Sequence, residues 1–248
     1  MAARPILGLL SLIILAGGVL LQFFVVLSGA VNKSPLNEFY FLEVGDLGQM
    51  SNTRNPSRWT FFAICGVDSK GLNSDCGAPV PALPFDPPRN FGTTLNVPEG
   101  FIGTRQYYYL SRCMFAFFLI SLLFSVAGLF TGLLAVCSRL AGYLSGLTVA
   151  AALFFQALAA SLMMAWTIQG RNTFRGEGHS AKLGVKSYAF AWTTVACFLL
   201  STILFCCGGR DSTGGVRRKR STRSARSHRS RGSFLDTESQ GRVKDDYS

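Results

Sequence analysis

The chain contains 248 residues, of which 49% are hydrophobic, and its mean hydropathy of +0.31 is higher than that of an ordinary soluble domain. Its formal net charge of +11 is unevenly placed, because residues 208–248 hold 11 Lys and Arg against 5 Asp and Glu. The charge therefore does not indicate a nucleic-acid-binding fold, and we expect no nucleic-acid partner.

Four long windows of the chain contain no charged residue, and each is bordered on both sides by lysine or arginine. They are residues 5–32, 113–138, 140–170 and 187–209. A membrane-spanning helix needs about 20 apolar residues to cross about 30 Å of hydrocarbon. Every window is long enough, so the sequence predicts an all-α membrane fold, a four-transmembrane-helix bundle.

The first window has two interpretations. Arg4 precedes its apolar stretch, as in a signal peptide, and a cleaved leader would leave three helices with the two chain ends on opposite sides of the membrane. The stretch from residue 6 to residue 27 is, however, much longer than the 7–15 residues of a signal-peptide core. We favour a retained signal anchor.

Basic residues beside the windows predict that both chain ends lie in the cytoplasm. The short turn between the second and third windows carries Arg139, and the tail is strongly basic, as is typical of cytoplasmic segments. Four basic residues in the second outer connection oppose this orientation, but the tail outweighs them. The predicted division is a cytoplasmic N-terminus (1–4), four membrane helices (5–31, 111–137, 142–168 and 187–207), extracellular loops (32–110 and 169–186), a cytoplasmic turn (138–141) and a disordered cytoplasmic tail (208–248).

Small residues recur at four-residue spacing in the second and third windows, as Gly128 with Gly132 and Gly142 with Gly146. Close approach of helix backbones through small residues drives helix association in lipid. The pairs indicate either a dimerisation face or packing within the bundle, and we favour packing.

The windows contain no Asp, Glu, Lys, Arg or His, which disfavours a transporter, a proton relay or a voltage sensor. Gln22 and Gln156 are the conspicuous polar residues, and each is expected to form a hydrogen bond between helices. Trp166, near the end of the third helix, is expected in the aromatic belt at the membrane surface.

The first outer loop is rich in Pro, Gly, Asn and aromatic residues, which predicts a small, partly β domain with strands at residues 39–44 and 59–64. It contains Cys65 and Cys76. Outside the cell such a pair is expected to form a disulfide, which stabilises a fold by about 2–4 kcal/mol. The alternative is two free thiols.

Cys206 and Cys207 lie beside the cytoplasmic end of the fourth helix, where S-palmitoylation usually occurs. The alternative is that they only fill space at the helix end. Neither His179 nor His228 is accompanied by the Ser, Cys or carboxylate residues of a catalytic triad, and neither has the spacing of a metal ligand. We therefore expect no enzyme activity, no metal and no cofactor.

The tail is the strongest candidate for lipid binding. Its basic residues are expected to bind anionic lipid of the inner leaflet, phosphatidylserine or phosphoinositide, and interspersed serines are candidate phosphorylation sites that would release it. The alternative is a stop-transfer and orientation signal alone. The basic residues are Arg217, Arg218, Lys219, Arg220, Arg223, Arg226, Arg229 and Arg231, and the serines are Ser221, Ser224, Ser227, Ser230 and Ser233.

Four sequence blocks outside the windows are distinctive. They read NKSPLNEFYFL (32–42), RWTFFAICG (58–66), NFGTTLNVP (90–98) and YYYLSR (107–112). With them the chain resembles the fungal SUR/PalI family of eisosome tetraspan proteins, in particular its SUR branch. A tryptophan and two cysteines in the first outer loop also match the broader claudin-like pattern.

The resemblance implies a structural protein of the plasma membrane, concentrated in cortical patches called eisosomes, which are static furrow-like domains. It implies effects on endocytosis, cell-wall formation and sphingolipid balance, with eisosome proteins and a second copy of the chain as candidate partners. Trp59, Gly66, Asn90, Phe91 and Gly92 would form a structural signature. The alternative function is that of the PalI branch, a membrane sensor or trafficking component of an ambient-pH signalling complex, whose members typically have a longer tail.

Overall fold

Four long helices and one small sheet make up the computed structural model of the protein, which describes residues 3–48, 53–135 and 139–210. The helices are α1 (Ala3–Val26), α2 (Pro87–Phe91), α3 (Gln106–Ala135), α4 (Arg139–Gly176) and α5 (Val185–Arg210). The strands are β1 (Leu42–Val44), β2 (Ser57–Trp59), β3 (Ile64–Val67), β4 (Asn73–Ser74) and β5 (Ala181–Leu183). Two short 3-10 helices, Leu36–Glu38 and Glu99–Phe101, lie between them.

The helices α1, α3, α4 and α5 are each long and apolar enough to cross a membrane, which confirms the predicted four-helix membrane fold. The helix α3 packs mainly against α4, and α1 packs mainly against α5. The helix α4 continues to Gly176 instead of ending at residue 168. Its last turns carry Phe174, whose ring is fully buried against aromatic rings of the sheet, so packing outside the apolar window extends the helix.

The five strands form one antiparallel sheet in the order β4-β3-β2-β1-β5. The strand predicted at residues 39–44 is present over Leu42–Val44. The prediction of one strand at residues 59–64 is wrong, because β2 ends at Trp59 and β3 begins at Ile64. The Thr60 side chain explains the turn: its hydroxyl donates to the Ala63 carbonyl at 2.6 Å and accepts the Ala63 N–H at 3.0 Å. Threonine hydroxyls stabilise turns in this way.

Strand β5 lies in the connection between α4 and α5, and sequence analysis missed it. It pairs with β1, which brings both long connections into one sheet. The Gly184 N–H donates to the Phe41 carbonyl, and a Cβ atom at Gly184 would lie 1.7 Å from the Tyr40 carbonyl oxygen, so only glycine fits. A three-residue strand is too short to show the alternation of polar and apolar residues that predicts strands.

Buried polar side chains connect the four long helices in the apolar part of the bundle. The Gln22 side-chain amide of α1 donates to Gln156 Oε1 of α4 at 2.9 Å and to the Phe118 carbonyl of α3 at 3.0 Å. Gln156 Nε2 donates to the Ala191 carbonyl of α5, and Ser125 of α3 donates to Gln22 Oε1, both at 3.3 Å. The predicted interhelical hydrogen bond is confirmed, and it is part of a larger network.

The glycines of α3 lie against neighbouring helices. A Cβ atom at Gly128 would lie 2.8 Å from Val149 Cγ2 of α4, and one at Gly132 would lie 2.6 Å from Leu12 Cδ2 of α1. A Cβ atom at Gly142 of α4 would meet no atom within 4 Å. The α3 pair therefore serves packing within the bundle, as favoured from the sequence.

We predict that Gly128→Ala lowers the free energy of unfolding in detergent micelles by about 1–2 kcal/mol, because the valine opposite is stiff and the backbones must separate. Gly142→Ala is the matched control. It is expected to be neutral or to raise stability by up to about 1 kcal/mol, since alanine favours helix more than glycine does. Equal effects of the two substitutions, or lost self-association with unchanged stability of the monomer, would contradict the packing role of Gly128.

Candidate functional site

The sheet domain, defined as residues 27–48, 53–105 and 177–184, contains the five residues predicted to form a structural signature. The structure brings three of them together. The Trp59 indole N–H donates to Asn90 Oδ1 at 3.1 Å, and the Phe91 ring lies edge-on to the indole with 5.7 Å between ring centroids. Asn90 also accepts the Asp86 N–H at 3.1 Å and donates to the Pro84 carbonyl at 3.2 Å. One amide therefore joins β2 to the segment that contains α2.

Gly92 and Gly66 have different roles. Gly92 ends α2 in the left-handed conformation, with φ of 69°, directly after Phe91. Glycine adopts this conformation without steric cost, which explains its place in the block. At Gly66 an added Cβ atom would make only ordinary contacts, the nearest at 3.5 Å from the Ser74 carbonyl oxygen. Nothing in the structure requires glycine there.

Aromatic rings hold the sheet domain against the membrane helices. Trp59 contacts Phe85 with 5.3 Å between centroids, and Phe85 contacts Trp166 of α4 at 4.7 Å. Phe101 and Phe174 of α4 lie in the same cluster, with their rings tilted by 44° and their centroids 4.8 Å apart. All five rings are buried. The cluster makes the sheet domain and the end of α4 one packed unit.

The expectation that Trp166 lies in an aromatic belt at the membrane surface is wrong. Its side chain is only 2% exposed, and its indole N–H donates to the Met114 thioether sulfur at 3.2 Å. The sequence could not show this, because the same residue near a helix end suits a lipid interface or a contact with a docked domain. The position of the sheet domain decides between them.

The predicted disulfide between Cys65 and Cys76 is confirmed. It links β3 to the residues after β4, and its two cysteines are separated by 11 positions in the sequence. Closing a loop of that size stabilises the fold by about 3 kcal/mol in the chain-entropy description. The disulfide therefore supports the edge of the sheet formed by β3 and β4, where only two residue pairs join the strands.

Arg58 and Glu43 form a buried ion pair across β1 and β2 that sequence analysis missed. Arg58 Nε and Nη2 both lie 2.7 Å from Glu43 Oε2, and Nη1 donates to the Gly71 carbonyl and to Asn73 Oδ1. The guanidinium also lies 4.1 Å from the Tyr40 ring centroid. Burial raises the pKa of the Tyr40 phenol, an effect that Arg58 opposes. Every nitrogen of the Arg58 guanidinium has a partner within the protein, so the cluster is structural.

The remaining predicted sites are only partly within the described residues. The thiols of Cys206 and Cys207 are exposed near the end of α5, and their acylation stays a prediction. All of the predicted lipid-binding and phosphorylation residues, from Arg217 to Ser233, lie outside the described residues. Within the described ranges no group of three or more His, Cys, Asp and Glu side chains could hold a metal ion.

We predict that Asn90→Ala lowers the free energy of unfolding by about 2–3 kcal/mol, because three hydrogen bonds of roughly 1 kcal/mol each are lost. Unfolding in mixed micelles, followed by tryptophan fluorescence, measures the change. The control is Thr94→Ala, an exposed position in the same sequence block, which should change stability by less than about 0.5 kcal/mol. Similar effects of both substitutions would mean that Asn90 does not connect the sheet domain.

The sequence of the chain matches a known protein family. The model of the SUR7/PalI family matches residues 7–204, which include the whole sheet domain. Protein SUR7 of Candida albicans is 38% identical over 199 residues, covering 80% of this chain and 72% of that protein. SUR7 family protein FMP45 of Saccharomyces cerevisiae is 37% identical over 206 residues, covering 82% of this chain and 66% of that protein.

A further relative in Saccharomyces cerevisiae, named an uncharacterized plasma membrane protein, is 32% identical over 214 residues. The match covers 84% of this chain and 69% of that protein. None of the three names describes an enzyme. The family match spans all four long helices as well as the disulfide-linked sheet between them. The protein is therefore a multi-pass membrane protein that belongs to the SUR7/PalI family.

Proposed function

We propose that the protein is a non-enzymatic structural component that organises static, eisosome-type domains of the plasma membrane. Through this role it affects endocytosis, cell-wall formation and sphingolipid balance. The observation that carries the proposal is the mutual pairing of the buried polar groups. Gln22 and Gln156 bond to each other and to neighbouring helices, and the four apolar windows contain no ionisable Asp, Glu, Lys, Arg or His. A bundle of this kind suits an anchor better than a transport pathway.

The proposed orientation places the sheet domain outside the cell and both chain ends in the cytoplasm. The disulfide between Cys65 and Cys76 supports it, because disulfides persist in oxidising compartments and are rare in the cytosol. The basic tail supports it through the preference of positive residues for the cytoplasmic side. The protein then offers a rigid surface outside, and a basic segment inside that reaches the anionic inner leaflet and eisosome proteins.

We predict that the chain, fused at its C-terminus to a pH-sensitive fluorescent protein, forms cortical patches that hardly recover after photobleaching. Acidifying the medium should leave the fluorescence unchanged, because the fused protein lies in the cytoplasm. A freely diffusing plasma-membrane protein with the same fusion is the control. Uniform or endosomal fluorescence would refute the organising role, and quenching by external acid would refute the orientation.

The ambient-pH sensor of the PalI branch is the alternative that the same experiment tests. The family name covers both branches, whereas two of the relatives described above carry the name SUR7. A chain that leaves the plasma membrane for endosomes when the external pH rises would support the sensor. Patches that persist at every external pH support the organiser.

The tail is proposed to bind anionic lipid and to be released by phosphorylation. Residues 208–248 carry 11 basic and 5 acidic residues, a net charge of 11 − 5 = +6. Each basic residue near an anionic surface contributes about 1 kcal/mol to binding. Each phosphate adds about −1.5 to −2 charges, so four phosphates would bring the net charge of the tail to between about 0 and −2.

We predict that a peptide of residues 208–248 binds vesicles of phosphatidylcholine with phosphatidylserine or phosphoinositide, measured by co-sedimentation at physiological salt. Replacing the five candidate serines by glutamate lowers the net charge to +1 and should abolish binding. Pure phosphatidylcholine vesicles are the control. If the unmodified peptide shows no preference for anionic lipid, the tail is only an orientation signal.

A further inference from the structure

A basic cleft lies where the sheet domain meets the start of α3. Its larger part has a volume of about 560 Å³, within the range of roughly 300–1,000 Å³ that is typical of ligand pockets. Arg54, Arg89 and Arg112 line it together with Tyr108, and its lining includes no carboxylate. A second part, of about 370 Å³, shares Arg89 and Tyr108 and adds Arg105. The basic cleft is defined by these four arginines and Tyr108.

The cleft carries an excess of positive charge that the described part of the chain does not neutralise. Four arginines face one lining carboxylate, that of Asp86. Arg54 is paired with the largely exposed Asp75 at 3.1 Å. Among the described residues, no carboxylate lies within ion-pair distance of the other three guanidinium groups. This differs from Arg58, whose guanidinium has a partner on every side.

Two of the four arginine side chains of the cleft lie over one aromatic ring. The Arg112 guanidinium lies 4.9 Å from the Tyr108 ring centroid, and the Arg89 guanidinium lies 5.5 Å from the same centroid. Arg112 follows Tyr108 by one helical turn on α3, which is the spacing that brings side chains together. Guanidinium groups held on a ring keep their N–H donors free for an anion.

The height of the cleft relative to the membrane identifies the source of the anion. Arg112 directly precedes the uncharged window that begins at residue 113, so it lies near the sheet-domain end of the apolar part of α3. Lipid phosphates occupy this level. Apolar residues that include Ile64, Val80 and Leu83 line the same cleft and suit the glycerol region of a lipid.

We propose that the basic cleft binds the phosphate-bearing headgroup of an anionic lipid in the leaflet next to the sheet domain. Arg89 and Arg112 donate hydrogen bonds to the phosphate oxygens, as guanidinium groups do in bidentate contacts. The net positive charge disfavours the ammonium of phosphatidylcholine, and the ring of Tyr108 is already covered by the two guanidinium groups. The site is separate from the basic tail, and it does not depend on the organising role proposed above.

The test uses the purified full-length protein in detergent, with phosphatidylinositol added and bound lipid counted by native mass spectrometry. The wild-type chain should retain phosphatidylinositol in preference to phosphatidylcholine. Arg89→Gln with Arg112→Gln should weaken retention by about tenfold or more, since two charged contacts are lost. The tail is the same in all variants, so the difference between variants reports on the cleft alone.

The matched control is Lys70→Gln with Lys182→Gln, which removes two exposed charges from the sheet domain outside the cleft. It should change retention less than twofold. The single variant Arg89→Gln, at an exposed position, serves if the double variant does not fold, and it should still weaken retention. Equal retention by cleft and control variants would overturn the proposal. Displacement of the lipid by inorganic phosphate would also overturn it, because the cleft would then take soluble anions.

Discussion

The indole of Trp59 lies at the point where the sheet, the α2 segment and the membrane helices meet. Its N–H group is bonded to Asn90, and its ring packs against Phe85, Phe91 and Phe174. Aromatic side chains of this kind bury roughly 150–250 Å² each, which at about 25 cal/mol per Å² makes each ring a large contributor to stability. The strands have only two to four residues each, and this cluster packs the sheet on the helices.

The apolar environment of the helices explains the other buried contacts. A polar group in hydrocarbon must find a partner inside the protein. Gln22 and Gln156 satisfy this condition through each other and through backbone carbonyls of α3 and α5. Close contact at Gly128 brings α3 and α4 together. These interactions hold the helices in one arrangement, and the surfaces that can act on other molecules are then those outside the apolar windows.

Two basic regions follow from this arrangement, and they differ in physical character. The tail combines many charges with few apolar residues, so its proposed attraction to anionic lipid would be additive and would be removed by added negative charge. The basic cleft has few charges, but two of its guanidinium groups are placed on the ring of Tyr108. Guanidinium groups in fixed positions can distinguish one lipid headgroup from another, whereas binding by a charged tail depends mainly on the charge density of the membrane surface. Together they fit the proposed role of the protein as an organiser of the surrounding membrane.

The sequence by itself determined the four membrane helices, the disulfide between Cys65 and Cys76 and the family. Each of these depends on the composition of one segment or on a short sequence block, and not on contacts between distant segments. The sequence also indicated Trp59 and Asn90, although not their hydrogen bond. Only the tertiary structure decided the partner of Trp166, the pairing of Arg58 with Glu43 and the addition of β5 to the sheet. The physical reason is that each of these joins residues far apart in the chain, and strand register and the docking of the sheet on the helices bring them together. The basic cleft belongs to the same class, since its arginines come from three separate segments.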